Sequence, residues 1–411
     1  MEKNENIVTN ANKSGHEKRN VPTLRFKEHT DEWHKFALSD FVTRITRRNK
    51  NNESSLPLTI SAQYGLVDQI TFFNKTVASV DLSGYYLLYN GDFAYNKSYS
   101  NDYAWGAVKR LDKYDKGCLS SLYFVFRPTD KVNSDYLTHY FETSKWHKGI
   151  SDIAGEGARN HGLLNIAVED YFATQHYLPS LPEQKKIANF LNLITKRIEV
   201  QNKIIEDLKI LKKELCNRHF KVIYNNTSLE YVTLKDILTE RKEYCGKDGT
   251  YIHGTLSKEG VAPKTERYDR DFLVKNEDKQ YKVTHFNDIC YNPANLKFGV
   301  ICRNTYGDLI FSPIYVTFEI SCKVYPAYIE LFLTNANFIG RIRRYEQGTV
   351  YERMAVAPED FLSYETRIPK YEEQVKFADK INRIQGKIDL EASFLDALQQ
   401  QRKYLLNSMF I

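Results

Sequence analysis

The sequence predicts an α+β protein: two tandem α/β domains, each followed by a long helix. Two observations support this fold class. A heptad pattern of apolar residues runs through residues 178–220, and the same pattern recurs 190 residues later, at the end of the chain. The globular segment ahead of each helix also repeats. Because an apolar seam of this length needs an equally long partner, we expect the two helices to pair as an antiparallel coiled coil with pseudo-two-fold symmetry.

Each predicted helix carries seven apolar seam positions over about thirty residues. Polar residues interrupt the two seams at matching places, Gln201 and Lys212 in the first and Glu391 and Arg402 in the second. The alternative is that each helix packs only on its own domain. The predicted seam consists of Ile187, Leu191, Ile194, Ile198, Ile205, Leu208 and Leu215, and of Phe377, Ile381, Ile384, Ile388, Leu395, Leu398 and Leu405.

The segments ahead of the helices match in the same order. Residues 36–42 correspond to 232–238, and both predict a strand that runs into a short helix. The distance between matching residues shrinks slightly along the chain, as small loop deletions would produce, so we infer a duplication with diverged loops. The predicted parts are a disordered tail (1–20), a first domain (21–178), a central helix (179–220), a second domain (221–368) and a C-terminal helix (369–411).

Composition limits the class of protein. The 58 basic and 52 acidic residues give a net charge of +6, which permits a nucleic-acid partner without requiring one. The six cysteines form no CxxC pair, so we expect neither a zinc site nor a disulfide framework, and a reducing cytoplasm is the simplest location. No stretch approaches eighteen consecutive apolar residues, which predicts a soluble protein.

The sequence offers weak candidates for catalysis. Residues 292–295, Asn-Pro-Ala-Asn, lack the second proline and the aromatic residue of an adenine-methylating tetrad. Asp271 with Glu277 and Lys279 loosely resembles a metal-dependent nuclease, but such trios are common in charged proteins. No phosphate-binding GxxxxGK[ST] loop is present in the sequence. We therefore expect a binding protein without catalytic residues, metal or cofactor of its own.

Basic side chains are interleaved with aromatic and amide side chains in the variable loops of both copies. Arginine and lysine can anchor phosphates, and arginine and asparagine can read base edges. For each residue, the alternative is an exposed charge that only aids solubility. The candidate DNA-binding residues are Arg47, Arg48, Lys50, Lys97, Tyr99, Tyr103, Arg159, Asn160, Arg241, Lys264, Arg267, Lys297, Arg343, Arg344 and Arg353.

Several motifs together resemble the specificity subunit of type I restriction–modification systems. They are the Leu-Pro-x-Leu-Pro-Glu-Gln-x-x-Ile lead-in at residues 178–187, the heptad helix that follows it, the repeat of that helix, and Val-Pro-x-Leu-Arg-Phe-Lys at residues 21–27 with Trp33. The resemblance covers residues 21–411. The second lead-in, residues 369–374, departs from the proline-rich form, although its heptads are intact.

The resemblance implies two target-recognition domains, each reading one half of a split, asymmetric duplex-DNA sequence. It also implies adenine-methylating modification subunits and ATP-driven restriction subunits as partners, with the methyl donor and ATP bound by those partners. The outer faces of the helices would form the docking surface, including Lys185, Lys186, Arg197, Lys203 and Lys209. The alternative functions are a coiled-coil scaffold or RNA-binding adaptor, and a self-contained restriction–methylation enzyme.

Overall fold

A computed structural model describes residues 7–9, 20–75, 78–79, 81–99, 103–155, 162–246, 251–264, 280–347 and 354–411. The chain forms two compact units. The first comprises Met1–Gln201 and Phe394–Ile411, and the second comprises Asn202–Ser393.

The first unit contains twelve strands and five short helices within its described residues. The strands are β1 (Ile7–Thr9), β2 (Leu24–Phe26), β3 (His34–Ala37), β4 (Val42–Arg44), β5 (Leu58–Ser61), β6 (Gly65–Asp68), β7 (Tyr86–Tyr89), β8 (Phe93–Asn96), β9 (Ala107–Arg110), β10 (Lys116–Leu119), β11 (Phe124–Pro128) and β12 (Gln175–Leu178). The helices are α1 (Leu38–Phe41), α2 (Gln69–Phe73), α3 (Ser134–Tyr140), α4 (His147–Ile153) and α5 (Val168–Ala173).

A four-stranded antiparallel sheet in the order β4-β11-β8-β9 forms the centre of this unit. Aromatic residues fill the space between the sheet and α3 to α5. Tyr95 stacks on Tyr171 with ring centroids 4.7 Å apart, and Phe93 stacks on Phe126 at 5.5 Å. These side chains come from alternate strand positions, which place them on one face of the sheet.

The second unit repeats this plan. Its strands are β13 (Tyr231–Thr233), β14 (Leu238–Glu240), β15 (Tyr244–Cys245), β16 (Ile252–Ser257), β17 (Gly260–Pro263), β18 (Tyr281–Thr284), β19 (Ile289–Tyr291), β20 (Ile301–Arg303), β21 (Leu309–Phe311), β22 (Val316–Ile320) and β23 (Glu365–Arg367), and its short α-helices are α7 (Pro326–Leu333), α8 (Ala336–Ile342) and α9 (Pro358–Leu362). The sheet β14-β22-β19-β20 has the strand order of the first sheet, element for element. This agreement supports the inferred duplication.

The two long helices are α6 (Leu181–Asn225) and α10 (Tyr371–Ser408), and they pair antiparallel. In the first unit, the guanidinium of Arg402 donates to Thr195 at 3.2 Å, and Arg197 lies 5.0 Å from the ring of Phe394. In the second unit, His219 stacks on Phe377 at 3.6 Å. The predicted fold class is confirmed: two β-rich domains are each followed by a long helix, and the helices pair.

The helix α6 has 45 residues and α10 has 38, so each extends beyond the predicted seam of about thirty residues. All fourteen predicted seam residues are buried or half-buried. The basic residues that interrupt the seam find polar partners on the other helix: Arg402 bonds Thr195, and Lys212 donates to Gln385 at 2.7 Å. Apolar contacts therefore continue past the interruptions without leaving these charges buried and unpaired.

Within the predicted tail, Ile7–Thr9 forms a strand paired antiparallel with Leu24–Phe26. The rest of residues 1–19 lies outside the described part of the chain. None of the six cysteines, all of which lie in the described ranges, forms a disulfide. None of the described helices is long and apolar enough to cross a membrane.

Candidate nucleic-acid interface

In the first unit, the loop between β8 and β9 lies beside the segment that leads into α5. The amide of Leu164 donates to the carbonyl of Lys97 at 2.9 Å, and the amide of Tyr99 donates to the carbonyl of Gly162 at 3.1 Å. The side chain of Asn96 accepts from the amide of Ser98 at 2.9 Å and fixes the start of the loop. We call residues 97–99 with 103–106 and 162–167 the first loop pair.

The second unit builds the same arrangement between β19 and β20. The amide of Val356 donates to the carbonyl of Pro293 at 3.2 Å, the counterpart of the bond between Leu164 and Lys97. Asn292 accepts from the amide of Ala294 at 3.1 Å, as Asn96 does in the first copy. We call residues 293–300 with 354–357 the second loop pair. One backbone scaffold thus presents two different sets of side chains.

The first loop pair holds three of the predicted residues. The ammonium of Lys97 lies 4.8 Å from the ring centroid of Phe124, and burial lowers its pKa. Tyr99 is 36% exposed, whereas Tyr103 is half-buried against the core. Arg159 and Asn160, predicted for the same segment, lie outside the described residues. This loop pair therefore combines a cation with tyrosine rings.

The second loop pair presents Lys297, whose ammonium lies 5.3 Å from the ring of the exposed Phe298. Arg343 and Arg344 are exposed on a short 3-10 helix that follows α8. Arg343 lies 3.7 Å from Glu346, and Arg344 lies over the ring of Tyr345 at 5.4 Å. Arg353 falls outside the part of the chain that the structure describes.

In each unit, one of the predicted arginines instead binds a buried aspartate. Arg47 donates to Asp92 at 2.8 Å, and Arg127, which the sequence analysis did not single out, donates to the other carboxylate oxygen at 2.6 Å. Arg241 grips Asp288 with two nitrogens, at 2.8 and 3.0 Å. Both aspartates are almost fully buried. These arginines neutralise a buried charge, which is a structural role.

The remaining candidates are scattered. Arg48 bonds the carbonyl of Gly84 and lies 4.4 Å from the ring of Tyr86, while Lys50 is exposed on the same loop. Lys264 follows the β16–β17 hairpin and is half-buried. Arg267 lies outside the described residues. The structure therefore brings only part of the predicted set into the loop pairs.

The described residues contain no group of histidine, cysteine or carboxylate side chains that could hold a metal ion. Asn292, the first residue of the tetrad resembling a methylation motif, is buried and uses its side-chain oxygen to close a turn. The nuclease-like trio of Asp271, Glu277 and Lys279 lies beyond the described segments. Geometry thus gives the tetrad a structural role.

Comparison with known proteins reveals the fold at low sequence identity. No family model and no curated protein matches the chain. The type I restriction-modification system S subunit from M. genitalium is 14% identical, with 95% of this chain and 99% of that chain covered and a TM-score of 0.52. A structure described as the basis of complex assembly and conformational transition of the type I R-M system is 13% identical, with coverages of 93% and 98% and a TM-score of 0.54.

This chain has the fold of a type I specificity subunit. The likeness extends over nearly all of both chains in each comparison, so it includes the duplicated domains and the paired helices together. Each of the two β-rich domains of this fold carries one of the loop pairs. Sequence identity of 13 to 14% carries no information about which bases a loop contacts.

Proposed function

We propose that this chain is the DNA-recognition subunit of a type I restriction–modification complex and reads a bipartite, asymmetric duplex-DNA target. The observation that carries the proposal is the loop pair, which is built twice on one scaffold with different side chains. Loops positioned by a rigid scaffold are where binding specificity usually lies. Because the loop pairs differ, the two half-sites would differ in sequence.

The side chains of the loop pairs suit duplex DNA. Lys97 and Lys297 lie in equivalent loops. Arg343 and Arg344 are exposed on the 3-10 helix that precedes Gln347, which pairs with Ala355 of the second loop pair. Cations of this kind contact phosphates, whereas base edges are read by a smaller number of well-placed polar groups. We therefore assign the described candidates in the loop pairs to DNA contact and leave Arg47 and Arg241 with their aspartates.

The partners would be adenine-methylating modification subunits and ATP-driven restriction subunits, which would bind the methyl donor and ATP. This chain would be a subunit without catalysis of its own. Of the proposed docking residues, Lys185, Lys203 and Lys209 are exposed. Lys186 pairs with Glu28, and Arg197 lies over Phe394, so these two are already engaged. We expect charge reversal at Lys203 and Lys209 to weaken assembly with the modification subunits, measured by co-purification.

The decisive test is a genome-wide map of methyladenine in cells with the gene, without it, and complemented with variants. A bipartite motif should disappear on deletion and return with the wild-type gene. Complementation with K297A, which removes a cation of the second loop pair, should lower methylation of the motif, whereas K264A, a basic residue outside the loop pairs, should restore it fully. An unchanged methylation map after deletion, together with no split footprint on duplex DNA in the presence of the modification subunits, would favour a scaffold or RNA-binding adaptor.

A further inference from the structure

We propose that Phe298 is an aromatic stacking residue of the second domain, which packs against an unstacked base or base step of the target DNA. The inference rests on the proposed DNA-recognition function and deepens it. It concerns one domain only, because the equivalent position of the first domain presents no such ring.

A rigid turn holds the Phe298 ring in solvent. Residues Leu296–Phe298 form a 3-10 helix, and the amide of Gly299 donates to the carbonyl of Leu296 at 2.8 Å. The Leu296 side chain is fully buried and anchors the turn, while Gly299 adopts a left-handed φ of 82° that ends it. Phe298 nevertheless remains 57% exposed. The backbone of this turn therefore fixes the ring in an orientation in which it is open to a ligand.

The surroundings of the ring suit a nucleobase. A shallow pocket of about 340 Å³ is lined by Ala294, Asn295, Lys297, Phe298 and Met354. Its walls combine an aromatic face, a thioether, an amide and one cation, with no carboxylate among the lining residues. Aromatic side chains stack on bases, apolar side chains including phenylalanine and methionine can enter a base step, and lysine can pair with the adjacent phosphate.

The first domain differs at the same point of the loop. There Trp105 precedes Gly106, which has a φ of 77°, as Phe298 precedes Gly299. The Trp105 side chain is half-buried and packs against the main core of its unit, and its carbonyl accepts from the Tyr95 hydroxyl at 2.9 Å. At equivalent turns, the Trp105 ring therefore packs against the core and the Phe298 ring points to solvent. Base stacking at this position would act on one half-site only.

The test compares Phe298→Ala with Phe286→Ala in the full-length chain bound to its modification subunits. Phe286 is a matched control, because it is 59% exposed on the same unit but lies outside the second loop pair. One probe is a duplex that contains the bipartite motif found in the methyladenine map, and the other is a duplex with that motif scrambled. Loss of one base-stacking contact should weaken binding of the motif by about 5- to 150-fold. F286A should bind like the wild type, and Phe298→Trp should retain most of the affinity.

Two further readouts separate stacking from a general loss of charge or fold. 2-Aminopurine placed through the half-sites should brighten at a step in one half-site with wild type and with F286A, but not with F298A. F298A should leave the salt dependence of binding unchanged, whereas loss of a phosphate contact in K297A should reduce its slope by about 0.9. Circular dichroism verifies that the variants are folded.

Equal affinity and equal 2-aminopurine signals for F298A and the wild type would overturn the stacking role while leaving DNA recognition intact. Failure of the wild type to prefer the motif over the scrambled duplex would instead overturn the proposed function, and the stacking role with it.

Discussion

Replacing Glu183 by alanine tests how α6 is anchored in the first unit. The Glu183 carboxylate receives two hydrogen bonds from Arg25, at 2.8 and 2.7 Å, and a longer one of 3.4 Å from the Trp33 indole. Both charged side chains are almost fully buried. Removing one member of a buried ion pair leaves the other as an uncompensated charge, which typically costs about 3 to 5 kcal/mol in the free energy of unfolding.

The duplication supplies the control. Glu373 holds the equivalent position at the start of α10, but its side chain is exposed. Surface substitutions usually change stability by less than about 0.5 kcal/mol, so Glu373→Ala should be nearly silent. The double variant Arg25→Met with Glu183→Leu removes both charges together and should recover much of the stability, because apolar replacement of a buried pair is often neutral or stabilising.

Tryptophan fluorescence during urea unfolding reports the first unit alone. The chain has three tryptophans, Trp33, Trp105 and Trp146, and all of them lie in that unit. With a urea dependence of about 2.5 kcal/mol per molar, the midpoint of E183A should fall by roughly 1 to 2 M. Because Glu373 lies in the second unit, the two variants are compared by circular dichroism, which follows the unfolding of both units. A shift for E183A as small as that of E373A in that measurement would refute the claim that this ion pair anchors the helix.

Two more predictions concern the first unit. A Cβ at Gly106 would lie 2.1 Å from the Asn96 carbonyl oxygen, so Gly106→Ala should destabilise the first loop pair by about 3 kcal/mol. At Gly299 of the second unit a Cβ would meet open space, so Gly299→Ala should cost only the strain of its left-handed backbone, about 1 to 2 kcal/mol. Hydrogen exchange of the amides in each loop measures both losses of stability. Burial lowers the pKa of His176 to about 4, below its ordinary value of 6.5. Between pH 6.5 and 4 the His176 imidazole is protonated in the unfolded chain but largely neutral in the folded unit. This difference alone should reduce the free energy of unfolding by about 3 kcal/mol as the pH falls from 7 to 4. Urea titrations followed by tryptophan fluorescence should show a shallower pH slope for His176→Gln, and an unchanged slope would contradict the assignment.

The fold could be predicted because its main determinants are periodic or repeated. Heptad spacing identifies the helices, and the match between the two copies predicts that the same plan occurs twice. The exact helix ends are not encoded in the seam, because α6 continues through residues 221–225 after the last apolar seam position. The pairing of Ile7–Thr9 with Leu24–Phe26 was also missed, since a three-residue strand in a polar segment gives no periodic signal.

The candidate interface was harder to predict, because the sequence alone does not distinguish an arginine that contacts DNA from one that forms an ion pair with a buried carboxylate. Arg47 and Arg241 are committed to Asp92 and Asp288, which lie 45 and 47 residues further along the chain. Only the fold brings those groups together. The sequence did carry one usable signal, since both aspartates occupy matching places in the repeat, next to the equivalent strands β8 and β19.

Comparison of the two copies also separates what the scaffold requires from what each domain has acquired. Gln184 accepts from the amide of Asn133 at 2.8 Å and donates to the carbonyl of Pro179 at 2.9 Å. Gln374 makes the same two bonds, with Tyr325 at 2.9 Å and the carbonyl of residue 369 at 2.9 Å.

The neighbouring glutamates do not agree in this way, since Glu183 is buried against Arg25 and Glu373 is exposed. The amide therefore ties each long helix to the domain before it, and a buried amide without its partners would cost about 1 to 3 kcal/mol. The ion pair is an addition of the first unit. Gln184→Ala and Gln374→Ala should consequently each destabilise their own unit by similar amounts, whereas the two glutamate variants should differ. Equal effects from the glutamates, or a silent glutamine in either copy, would show that the repeated bonds are not what holds the helices in place.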